Sequence, residues 1–133
     1  MKKWIAFVLV LVVLFSFSGC GNNNPLSEIA LKKVASIELW CNDPFTKVEL
    51  NAEEIETFVK LYNASQYQGE GTGVGGTPVF GATVYYEDGS AFCINEFNGT
   101  ADLEVTVHSS TEQGAWCYVN NPELLTYMEE KLN

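Results

Sequence analysis

Residues 80–108 read FGATVYYEDGSAFCINEFNGTADLEVTVH, three β-rich segments separated by Asp88-Gly89 and Asn98-Gly99. Both dipeptides supply the positive φ angles of two-residue hairpin turns, so strands over 78–86, 90–97 and 100–108 are expected to form an antiparallel meander. Such turns also set which residues face each other. Tyr85 should oppose Phe92 and Val84 should oppose Cys93; beyond the second turn, Ile94 should oppose Leu103 and Phe92 should oppose Val105. One sheet face would then carry Thr83, Tyr85, Phe92, Ile94, Leu103, Val105 and Val107, apolar enough to be the core.

The other face would carry Phe80, Val84, Tyr86, Cys93, Asn95, Phe97, Asp102, Glu104, Thr106 and His108. Aromatics mixed with acceptors suit a recognition surface. Phe80, Tyr86, Asn95, Phe97, Asp102, Glu104 and His108 are therefore the candidate ligand- or partner-binding residues. The competing expectation is that a loop or the opening hairpin covers this face as a second, partly polar core layer. A slip of one residue in either turn would exchange the two faces.

Working outward, Val34–Cys41 alternates around Ile37 and Leu39 and reads as a strand, broken by Asn42-Asp43-Pro44, with a short strand over Lys47–Leu50. Asn51 followed three residues later by Glu54 is a capping pattern, and Ile55, Phe58, Val59 and Tyr62 then recur at helical spacing, predicting a helix over 52–63. Ala115–Val119 reads as another short strand. Asn121-Pro122-Glu123 starts a last helix whose Leu124, Leu125, Met128 and Leu132 share a face. The expected fold class is α+β: an antiparallel sheet of about five strands with two helices packed on one face, over residues 34–133.

At the other end of the chain, Lys2 and Lys3 precede an apolar run, Trp4–Phe17, of 14 residues. A membrane-spanning helix takes about 20, so a secretory signal is the better reading. Phe17-Ser18-Gly19-Cys20 resembles the lipobox of bacterial lipoproteins, although Phe17 stands where that family usually has Leu. The resemblance implies cleavage before Cys20 and a diacylglycerol on its sulfur, making residues 1–19 a lipoprotein signal peptide. Residues 20–33 would be the lipidated cysteine and a flexible tether, since Gly21–Pro25 is rich in turn-forming residues. The implied location is extracytoplasmic, anchored to the cell membrane, which becomes a partner through the lipid on Cys20.

Removing two of the seven lysines with the signal takes the formal charge from −10 to −12, and the chain has no arginine. Nucleic acid is thereby excluded as an expected partner, because phosphate binding relies on cationic neutralisation. Cys41, Cys93 and Cys117 allow at most one internal bridge, whose pairing spacing alone leaves open. There is no Cys-x-x-Cys or His/Cys cluster, so no metal and no cofactor is expected. Gly71-Thr72-Gly73-Val74-Gly75-Gly76 matches the letters of a dinucleotide fingerprint, but it leads into a strand and lacks the helix N-terminus that binds phosphate. Asp102 with Glu104 reads as a solvated strand rather than an acid/base pair.

Three functions remain open. The first is a non-catalytic, lipid-anchored binding domain for a protein, peptide or small polar ligand. The second is a small hydrolase or thiol enzyme using His108 with Cys93, for which the strands offer no evident oxyanion hole. The third is a structural or envelope-stress lipoprotein.

Overall fold

The structure is a computed structural model that describes residues 28–70, 77–96, 102–108 and 113–133. Phe97, Val74 and the rest of the glycine-rich 71–76 segment lie outside the described residues. The first helix, α1, runs Ala52–Asn63. Its capping box is complete: the Asn51 side chain accepts the Glu54 N–H, and the Glu54 carboxylate accepts the Asn51 N–H at 2.9 Å. The second helix, α2, runs Pro122–Leu132, with Asn121 as its N-cap. Both helices start where capping chemistry predicts, because caps satisfy backbone donors that the first turn leaves open.

The strands are β1 (Val34–Asn42), β2 (Phe45–Glu49), β3 (Gln66–Glu70), β4 (Phe80–Tyr86), β5 (Ala91–Glu96), β6 (Asp102–His108) and β7 (Gln113–Asn120). They form one antiparallel sheet in the order β2-β1-β4-β5-β6-β7-β3. The class is α+β, with seven strands rather than about five. The strand absent from the sequence reading is β3, QYQGE, at the sheet edge beside β7. Its residues show no apolar alternation; backbone pairing to β7 is what defines it.

The register of β4 on β5 corrects the expected one. Val84 pairs with Phe92 and Tyr85 with Ala91, a shift of one residue. Gly89 takes φ +85° and its N–H donates to Tyr86 O, while Tyr86 N–H donates to Ser90 O. The loop is thus three residues, Glu87-Asp88-Gly89, in which a single glycine supplies the left-handed position. Asp88 Oδ1 accepts both the Ser90 N–H at 2.9 Å and the Ser90 hydroxyl at 2.6 Å, which holds this turn.

The slip turns β4 over. Ala82 and Val84 are fully buried with Ile37 and Leu39 of β1, Phe92 and Ile94 of β5, Leu103 and Val105 of β6, and Val119 of β7. Phe80 is buried and Tyr86 packs against the same core, so neither belongs to the face on which both were expected. Thr83 and Tyr85 go to the opposite face. Between β5 and β6 the pairing is Ile94 with Val105 and Phe92 with Val107, two residues from the expected register. An even shift keeps the same residues on each face.

The helices lie on the apolar face. Phe58, Val59 and Tyr62 of α1, with Leu124 and Met128 of α2, close the core, and the Tyr62 ring meets Phe92 edge-on at 5.1 Å. The packed domain begins before the expected start at 34, since Ile29 is buried and its N–H and C=O both bond the Asn63 side chain. No helix among the described residues is long and apolar enough to cross a membrane.

Candidate functional site: the helix-free face of the sheet

No described helix lies over the second face of the sheet. Strand alternation and register place one row across it: Trp40 of β1, Gly81 of β4, Asn95 of β5, Glu104 of β6 and Tyr118 of β7, each paired with the next. The row beside it holds Glu38, Thr83, Cys93 and Thr106. Aromatic side chains stand at both ends of the first row, with an amide and a carboxylate between them. Trp40 is half-buried because its indole lies on Gly81: a Cβ built there would sit 2.6 Å from Trp40 Cζ2.

Of the seven sequence candidates, Asn95, Asp102 and Glu104 share this face. Asp102 Oδ1 accepts a hydrogen bond from Asn120 Nδ2 at 2.9 Å, which ties β6 to β7. Phe80 and Tyr86 are on the core side. His108 is paired by its backbone with Ala91 and Gln113 at the end of β6, and Phe97 lies outside the described residues. Sequence reading missed Trp40, Gly81 and Tyr118. The available signal was the β1 alternation, which puts Trp40 opposite Ile37 and Leu39, but nothing in the sequence says that β1 neighbours β4.

The thiols are free. Cys41 and Cys117 are on the core side but on β1 and β7, with three strands between them, and Cys93 is on the opposite face. Neighbouring strands are about 4.8 Å apart, so no pair comes within the 4.4–6.8 Å Cα separation that a disulfide needs. Burial pushes the Cys93 and Cys117 thiols up, with Thr83 Oγ1 only partly opposing the shift at Cys93. A thiol with a raised pKa is a poor nucleophile at neutral pH.

A second concavity, of about 530 Å³, lies between the residues before β1 and the β4–β5 turn, lined by Glu28, Ala30, Lys33, Tyr86, Glu87, Asp88 and Ser90. Its polar groups are largely engaged in holding the turn: Glu87 N–H donates to Lys33 O, and Asp88 is occupied by Ser90. Burial, with Asp88 adding to it, raises the Tyr86 phenol. Among the described residues, no three His, Cys, Asp or Glu side chains come together as a metal site.

No family model, curated protein or solved structure matches this chain. The functional argument therefore rests on the chemistry of the two faces and on the sequence around Cys20. The helix-free row offers hydrogen-bond acceptors flanked by aromatic surface.

Proposed function

We propose that this chain is a lipid-anchored, extracytoplasmic binding protein that holds a protein, peptide or small polar ligand at the cell surface without catalysis. The observation carrying this reading is the row Trp40-Gly81-Asn95-Glu104-Tyr118 on the face the core leaves unused. The lipobox-like Phe17-Ser18-Gly19-Cys20 supplies the anchor. Acidity favours a domain that stands off anionic head groups on its tether.

Anchoring is tested by growing expressing cells with labelled palmitate. The native chain is expected to carry the label and Cys20→Ala to carry none. Label on the variant, or none on the native chain, would remove the lipid anchor from the proposal.

The binding face is tested by cross-linking on intact cells. A folded Asn95→Arg chain, with a bulky cation in the middle of the row, is expected to lose the partner that the native chain captures, whereas Lys60→Glu on α1 retains it. Equal capture by native and Asn95→Arg chains would move the site elsewhere.

A further inference from the structure

The two edges of the sheet differ. β3 carries a register shift between Tyr67 and Gly69, whose φ is +140°, and such a bulge bends an edge away from further pairing. β2 pairs with β1 over Phe45–Glu49 without a shift, and no described strand lies on its outer side. Leu50 N–H donates to Ile37 O at 3.0 Å, while Asn42 N–H donates away from β2, to Val79 O. The alternation of an antiparallel ladder therefore turns the backbone groups of Thr46 and Val48 toward β1 and those of Phe45, Lys47 and Glu49 outward. A flat edge with its N–H and C=O groups turned out is a template for another strand.

The side chains of that edge are complementary to themselves. Lys47 and Glu49 are exposed on the helix-free face, and Val48 between them turns to the helix side, partly buried against the core. A lysine on an edge strand ordinarily discourages pairing. Here Glu49 reverses that effect, because Lys47-Val48-Glu49 turned end for end sets opposite charges against each other. A two-fold axis at Val48 places Lys47 directly opposite Glu49 of a second copy, and both pairs then exchange their outward N–H and C=O groups. Centring the axis on Lys47 or on Glu49 instead would set like charges face to face, so charge selects the register. Lys47 already pairs with Glu38 at 2.8 Å, but its side chain is 51 % exposed and an ammonium carries several donors, which leaves room for a second carboxylate.

We propose that a second copy of this chain pairs with β2 edge to edge, antiparallel about Val48, with Lys47 of each copy opposite Glu49 of the other. The contact is isologous, since the same strand serves both copies. Directly paired residues point to the same side of a sheet, so the joined sheets carry both pairs of helices on one face and both helix-free faces on the other. This association goes beyond the binding role proposed above and does not depend on it. A five-residue edge buries less than a standard interface, so the contact is weak and is read at high protein concentration.

The test uses the full chain purified in detergent at physiological salt, with Val48→Cys as the reporter and mild oxidation read by non-reducing electrophoresis. Opposed Val48 positions form a non-hydrogen-bonded antiparallel pair, about 4.5 Å apart at Cα and within disulfide reach. Val48→Cys is expected to give a cross-linked dimer that the native chain does not. In that background Lys47→Glu or Glu49→Lys should each cut the dimer fraction about fivefold or more, by setting like charges across the axis. Glu38→Gln, which removes only the contact within one copy, should change it by less than about twofold. Combining Lys47→Glu with Glu49→Lys in one chain, or mixing the two single variants, puts opposite charges back across the axis and should restore the dimer. That rescue also separates loss of pairing from loss of folding and from a change in net charge. A cross-link absent from Val48→Cys, equal in the native chain, or not restored by the double exchange overturns the proposal. Asn95→Arg should leave the cross-link unchanged, so the binding face and the β2 contact fail or stand separately.

Discussion

Gly81→Ala is expected to lower folding stability by about 3 kcal/mol, a size reached when an atom is forced into a packed site that cannot relax. A Cβ at this position would meet Ile94 O of the neighbouring strand and come within 2.6 Å of Trp40 Cζ2. The indole could turn away; the carbonyl is part of the β4–β5 ladder and cannot move without disturbing the pairing of Gly81 with Asn95. Urea unfolding of Gly81→Ala alone and with Trp40→Ala separates these contributions. The double variant should recover only part of the loss. A Gly81→Ala chain with native stability would show that the indole does not rest on the sheet and would remove one aromatic end of the proposed binding row. Domains of this size have about 5–15 kcal/mol in total, so the single variant should shift the midpoint visibly.

Asn121→Ala is expected to cost about 2 kcal/mol, the combined effect of losing a helix cap and two buried donors. Asn121 is 6 % exposed. Its Oδ1 accepts the Leu124 N–H at 2.9 Å, and its Nδ2 donates to Leu61 O and Ser65 Oγ, each at 2.8 Å. One side chain thus caps α2 and joins it to the end of α1. Leu61 O also accepts the Ala64 N–H, so removing the amide leaves that oxygen partly satisfied and limits the penalty. Asn121→Ser keeps an acceptor for the cap while giving up the amide donors, and should lose roughly half as much. If Ser and Ala substitutions cost the same in denaturant unfolding, the cap contributes nothing and the bridge between helices carries the whole effect.

Local signals carried much of the architecture. Asn51 with Glu54, and Asn121 with Pro122, act within one turn of chain, so both helices were legible from side-chain chemistry and 3.6-residue spacing alone. The meander was legible too, because turns are short-range. Its register was not: Asp88-Gly89 serves either a two-residue turn or a three-residue loop, and the choice lies with Ser90 bonding back to Asp88. The apolar set Phe80, Ala82 and Val84, set against Gly81, Thr83 and Tyr85, was the sequence clue to the correct face. Polar β3 gave no such clue, since its place beside β7 is a matter of backbone pairing at an edge.

The sequence by itself determined the helices, the antiparallel class, the acidity and the Cys20 motif, all of which depend on neighbours in the chain or on composition. Tertiary structure decided which face of β4 is core, that β1 neighbours β4, and that the three thiols lie too far apart to bridge. It also brought Trp40, Asn95, Glu104 and Tyr118 into one row. These outcomes depend on strand order and on one-residue differences in register, which are settled only when distant segments bury their apolar faces together.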